Sequence, residues 1–240
     1  MSVFKGIHGA VVAHLGELIV RGDVAPGAAL DPLRLEKDLG VSRTVVREAL
    51  RVLAAKGMVD ARPKRGTIVR PREEWALLDA DVLGWQAQNR ADDAFLADLA
   101  EVRDIVEPAG ARLAATRRTD ADLAALRAAL DGMADPDASV DGVVEADLTF
   151  HHALLAAAHN ALLRQLEQVI ATGLRARDLL VHSGGPRGDS APAHRGVPSH
   201  RAVLDAVTRG DADGAERAVR DLLAEADRDV RAITSGKEPE

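Results

Sequence analysis

Apolar residues recur at helical spacing near the start of the chain, where Val11, Val12, Leu15, Leu18 and Ile19 share one side. Gly and Pro punctuation at Gly22, Pro26 and Gly27 closes that run, so a first helix is expected there. The shorter stretch LRLEKDLG, residues 33–40, places Leu33, Leu35 and Leu39 before a Gly40 stop and predicts a second helix. Only Val41 separates Gly40 from Ser42, a residue type that caps helices by accepting from first-turn amides. From Ser42 onward Val46, Leu50 and Leu53 repeat at i, i+4 and i+7, Gly57 supplies the stop, and Arg43, Thr44, Arg47 and Arg51 fall on the opposite side. Residues 58–69, MVDARPKRGTIV, read as two short β runs around a Pro-Lys-Arg-Gly turn, which is a hairpin with a basic tip. Two helices joined by so tight a turn match a helix-turn-helix, and three helices followed by a basic hairpin make a winged helix.

Beyond this unit the pattern changes. Residues 73–94 hold both tryptophans, Trp75 and Trp85, in a short mixed pattern and are expected to form a linker. From Phe95 onward every segment is rich in Ala and Leu at helical spacing, broken at TRRTDAD, ADPDASVDG and HSGGPRGDSAPAHRGVPS, with no strand pattern. The expected fold class is therefore mainly α. A winged helix-turn-helix with a small β-hairpin wing occupies residues 1–72, and an all-α antiparallel helical bundle occupies residues 95–235.

Charge sharpens the division. The chain carries a formal charge of −7, but residues 1–72 hold 13 Lys and Arg against 7 Asp and Glu, leaving 18 against 31 in the remainder. A basic head on an acidic body favours nucleic acid as the head's partner. In that reading Ser42, Arg43, Thr44 and Arg47 enter a major groove, where Arg can pair with guanine edges and hydroxyls with phosphates, while Lys64, Arg65 and Gly66 form the wing tip. The competing reading is a solvated Arg face on an ordinary surface helix. The absence of cysteine excludes disulfides and thiolate metal sites, and suits a reducing cytoplasm. No apolar run reaches bilayer length, so no membrane partner is expected.

The body carries polar groups on core-facing stripes. Asp147 and His151 are four residues apart, in line with Val144, Leu154 and Ala158, and His200 shares a face with Val203, Leu204 and Val207. Burying them without partners is costly, and one carboxylate with two imidazoles is a reasonable set for a divalent cation such as Zn, Ni or Mn. The local alternative is an Asp147–His151 pair with His200 bonded to a carbonyl. His152, His159, His182 and His194 have weaker claims. Arg103 lies between Leu99 and Val106 on another buried stripe and needs an anion, either Glu107 one turn on or the carboxylate of a small ligand. Effector binding is thus assigned to Arg103, Asp147, His151 and His200.

VSRTVVREALRVLAAKGMVDARPKRGTIV closely resembles the DNA-binding domain of GntR-type transcription regulators, over residues 8–70. The resemblance implies that Arg43, Thr44 and Arg47 contact an operator and that Gly66 lets the wing approach the backbone. Glu36 and Val45 depart from the usual small residue and Pro. EVRDIVEPAGARLAA, EADLTFHHALLAAAHNALL and SHRAVLDAVTRGDADGAERAV are similar to the effector-binding (FCD) domain of the FadR subgroup, a bundle of six or seven helices that commonly holds a metal with one Asp and three His. Asp147, His151 and His200 match the first three ligands, and the fourth position falls on Leu222. WALLDADVLGW and the last helix without a histidine resemble the galactonate-responsive repressor type, which implies a sugar-acid inducer such as galactonate or a related hexonate.

The expected function is a DNA-binding regulator, not an enzyme: a homodimeric repressor released from double-stranded operator DNA by a small carboxylate held near a divalent metal. The rival readings are a metal-dependent enzyme, since Asp147, His151 and His200 around a metal can activate water, and a pure metal sensor. No phosphate loop of the Gly-x-x-x-x-Gly-Lys type supports the enzyme.

Overall fold

The computed structural model describes residues 6–62, 66–89, 93–183 and 196–234. The chain divides into two compact units, Met1–Asp92 and Asp93–Glu240.

In the first unit α1 (Ile7–Val20) packs on α3 (Arg43–Ala55), with the short α2 (Pro32–Leu39) beside it. Asp31 caps α2 by accepting from the Leu33 amide at 2.9 Å, Pro32 needs no amide partner at the first helical position, and Gly40 ends the helix at φ 62°. Ser42 caps α3, accepting from the Val45 amide at 3.4 Å. The core joins Val11, Val12, Leu15 and Ile19 to Val46, Ala49, Leu50 and Leu53. Leu33, expected on the apolar side of α2, is 57% exposed, while Leu35 and Leu39 pack on the core.

The hairpin strands β2 (Val59–Arg62) and β3 (Gly66–Val69) pair antiparallel, Val59 opposite Val69 and Arg62 opposite Gly66. A third strand, β1 (Ala29–Leu30), lines the other edge of β3. Two residues are too few to leave a period in the sequence, and β1 exists because β3 offers it an open edge.

The segment expected to be a linker carries a 3-10 turn (Arg72–Glu74) and α4 (Ala80–Gln88), which packs on α1. Trp85 and Val82 are buried in the same core as α1 and α3. A Cβ at Gly16 of α1 would stand 2.5 Å from the Trp85 ring, so glycine there allows the two helices to close on the indole.

The second unit consists of α5 (Asp93–Arg117), α6 (Asp120–Ala134), α7 (Val140–Ala157), α8 (Ala161–Ser183), α9 (Val197–Arg209) and α10 (Ala212–Thr234). Its core is built from Leu126, Leu130, Phe150, Leu154, Val203 and Val207 with many alanines, whose small side chains bring the helices close. At the crossing of α5 and α7 a Cβ on Gly110 would meet Leu155 Cδ2 at 2.3 Å. Thr119 and Asp122 form a capping box on α6, and Ser139 caps α7. Among the described residues no helix is long and apolar enough to cross a membrane.

Candidate functional site

Because Val46, Ala49, Leu50 and Leu53 face the core, the opposite side of α3 is presented outward: Ser42, Arg43, Thr44, Arg47 and Arg51 are exposed. Arg51 pairs with Glu48 on its own helix at 3.3 Å. Arg43 and Arg47 make no ion pair with the described residues, so their guanidinium forks are available to an outside acceptor. The Ser42 hydroxyl accepts in its capping role and still has a proton to donate. Gly66 opens β3 at φ 81°, a left-handed conformation that accounts for glycine at the end of the wing turn. Lys64 and Arg65 lie outside the described residues.

In the helical unit Asp147 and His151 from α7 meet His200 from α9. One ligand atom of each lies within 4.8 Å of the others, and all three residues are buried. His200 Nε2 stands 3.0 Å from Asp147 Oδ1 without hydrogen-bond alignment. Its Nδ1 is 2.7 Å from the Gly196 carbonyl, which suits an Nδ1–H donor and leaves Nε2 as the electron-pair donor facing the cluster. His151 Nε2 is 3.8 Å from Asp147 Oδ2 and has no hydrogen-bond partner. Phe150 packs edge-on to the His200 ring with centroids 4.9 Å apart, closing one side with an apolar wall. Two imidazoles whose in-plane nitrogens are not spent on each other, with one carboxylate, fit three positions of a divalent-cation site. Leu222, in α10, is 4% exposed and joins the apolar core, offering no fourth donor.

Glu107 adjoins this cluster and is fully buried. Arg103 Nε donates to its Oε1 at 2.6 Å, and its Oε2 is 2.7 Å from His151 Nδ1, with the ring N–H off the line between them. Burial pushes the Glu107 carboxyl up, but the charge of Arg103, the close approach of His151 and the hydrogen bond that Arg103 donates outweigh it and lower the pKa to about 2. Arg103 thus has the partner that spacing suggests, yet its buried Nη2 has no hydrogen-bond partner. Glu107 was legible as a partner of Arg103 but not as a neighbour of His151, because that contact crosses from α5 to α7.

Two further histidines are paired elsewhere. His152 pairs with Glu167 at 2.8 Å, and His159, at φ 47°, pairs with Asp122 at 2.9 Å. His182 falls in α8 and His194 outside the described residues. A second buried ionic group was missed altogether in the sequence: Lys56, directly after α3, reaches Asp79 and Asp81 at 2.7 Å each.

The family profile described as bacterial regulatory proteins, gntR family, matches residues 8–69, and the FCD domain profile matches residues 98–225. The galactonate operon transcriptional repressor of Escherichia coli (strain K12) is 37% identical over 226 residues, covering 93% of this chain and 96% of that protein. The HTH-type transcriptional regulator LutR of Bacillus subtilis (strain 168) is 31% identical over 208 residues, covering 84% and 91%. The solved structure of Lar, which controls expression of the Listeria monocytogenes agr system, superposes with a TM-score of 0.57 at 19% identity, covering 96% of this chain and 99% of that one, a likeness of fold.

Proposed function

The chain belongs to the gntR family of bacterial regulatory proteins, with an FCD domain behind its DNA-binding unit, and from that premise we propose that this transcription regulator is a dimeric cytoplasmic repressor released from its operator by a sugar acid. Galactonate or a related hexonate is the first choice, supported by similarity to the galactonate operon repressor along nearly the whole chain. Family membership makes the chain a DNA-binding transcription regulator and not an enzyme.

The observation that carries the effector half of the proposal is the buried cluster itself. Three ligand residues, one carboxylate and two imidazoles, converge within 4.8 Å, and one contact away, through Glu107, a buried guanidinium keeps a nitrogen unpartnered. Leaving such groups unsatisfied costs on the order of 1–3 kcal/mol each, which a ligand recovers. Asp147, His151 and His200 would hold the cation, which when bound supplies a Lewis-acid anchor for oxygen ligands. Arg103 contributes a planar donor for a carboxylate.

At the other end Arg43, Thr44 and Arg47 read the operator, with Ser42, Lys64, Arg65 and Gly66 on the backbone. One winged helix reads few base pairs, so two copies on an inverted repeat are the economical arrangement. The ligand shifts the operator equilibrium only by its differential affinity for two arrangements of the protein. A pure metal sensor is the second reading, favoured by the pairing of Arg103 with Glu107.

Gel shift of the full chain on a duplex selected from a random-sequence pool, titrated with galactonate with and without chelator, separates the two. Release by galactonate that needs a cation supports the proposal. Release by the cation alone supports the sensor. No release under either condition defeats both.

A further inference from the structure

Among the described residues the two family profiles stop at residue 69 and resume at 98, so the segment carrying the 3-10 turn and α4 belongs to neither. It is nonetheless tied to the end of α3 by a buried ionic group. Lys56 follows the last residue of α3, and its side chain is 10% exposed. Its ammonium lies 2.7 Å from Asp79 Oδ1 and 2.7 Å from Asp81 Oδ2. Asp79 is the cap of α4, accepting from the amides of Asp81 and Val82, and Asp81 lies in the first turn. Both carboxylates therefore sit at the positive end of the α4 dipole, and the cation sits at the negative end of α3.

The backbone repeats the tie. The Ala76 amide donates to the Lys56 carbonyl at 2.8 Å, and the Arg70 amide donates to Met58 at 2.9 Å. A Cβ on Gly57, at φ 73°, would stand 2.5 Å from the Glu74 carbonyl oxygen, so the chain crosses directly against the turn after α3. Further along, Arg72 donates to Gln86 at 3.0 Å, and the Asn89 amide group donates to the Val20 carbonyl at 3.4 Å.

We propose that Lys56, held by Asp79 and Asp81, is a positioning residue for operator recognition: it ties α4 to the end of α3 and so sets how α3 presents its outward face. The proposal rests on α3 being the recognition helix. A buried ammonium held by two partly buried carboxylates is a poor way to gain stability, because desolvation offsets much of their attraction, while apolar or neutral residues of similar size fold as well or better. What the ionic group adds is one geometry, since an ammonium between two carboxylates on a capped helix has a single good position. Base contacts depend on that geometry at the scale of a hydrogen bond, and phosphate contacts far less.

The test uses the full chain carrying Lys56→Met, Asp79→Asn and Asp81→Ala together. Asn still caps α4, and no charge is left unpaired. Affinity is measured for a duplex that the wild-type chain selects from a random-sequence pool, and for an unselected duplex of the same length. The expected result is a melting temperature equal to or above wild type, unselected-duplex binding unchanged, and loss of selected-duplex affinity on the order of tenfold, the scale of one mismatched base pair. Lys56→Arg, which keeps the charge between the two carboxylates, is expected to restore most of the preference. A triple variant that keeps the wild-type ratio of selected to unselected affinity overturns the inference, as does a variant that loses both affinities together with its melting temperature. Failure of the wild-type chain to select any sequence would instead remove the recognition reading on which the inference stands.

Discussion

Each unit of this protein buries charge, and the two do so for opposite ends. In the head, Lys56 has two carboxylates at 2.7 Å, and backbone amides take up the capping oxygen of Asp79. In the body, Arg103, Glu107, His151, Asp147 and His200 form a longer chain of contacts in which Arg103 Nη2 and His151 Nε2 have no hydrogen-bond partner. A buried ionic group whose members answer one another acts as a strut. One that leaves donors over, aimed into the same cluster, is suited to receive something. Burial and charge alone do not separate these cases; the count of unanswered atoms does.

The harshest way to break the comparison is Glu107→Ala. Removing the carboxylate strands a buried guanidinium, and a loss of about 3–5 kcal/mol is expected in denaturant unfolding of the body. A loss no larger than that of an exposed site would show that Arg103 and His151 do not depend on Glu107.

Acid and alkali are expected to divide the units. Glu107 is lowered from 4.5 to about 2, so its contribution is present above pH 4.5 and is lost as pH falls towards 2. By linkage that amounts to about 3 kcal/mol. Lys56 is different: burial opposes its charge, but Asp79 and Asp81 raise its pKa above 10.5, so its contribution holds below 10.5 and is lost as pH rises beyond the raised value. Both tryptophans pack in the head, so their fluorescence follows that unit, while circular dichroism also follows the long helices of the body. Acid should then diminish the dichroism before the fluorescence shifts, and the reverse order would contradict the assignment.

Cation binding sharpens the contrast by about 2.7 kcal/mol at a free concentration one hundred times the dissociation constant. Zinc or manganese ions should raise the melting temperature of the body and leave the tryptophan-reported transition in place. His200→Ala should abolish that rise. Equal stabilisation of the His200→Ala variant would place the cation elsewhere.

The smallest effect concerns the exposed face of α3. Arg47→Ala should weaken selected-duplex binding by about 1–3 kcal/mol with little effect on unselected DNA. Equal losses on both would make Arg47 a phosphate contact.

The winged helix was legible because its signals are local. Asp31 and Ser42 announce their helices by cap chemistry, Gly40 and Gly57 end theirs at positive φ, and the period of Val46, Leu50 and Leu53 settles which side of α3 faces out. Asp147, His151 and His200 were legible for a related reason: a polar residue on an apolar stripe is conspicuous wherever the helix packs. Partner choice was not legible. That Glu107 reaches His151 as well as Arg103, and that Lys56 binds Asp79 and Asp81, depends on contacts between residues on different elements. The same limit hid β1 and the packing of Trp85 against Gly16. Periodicity records which face of an element is buried, because burial acts on each residue separately. It does not record what that face meets, because distance and alignment between side chains of separate elements exist only once the chain has folded.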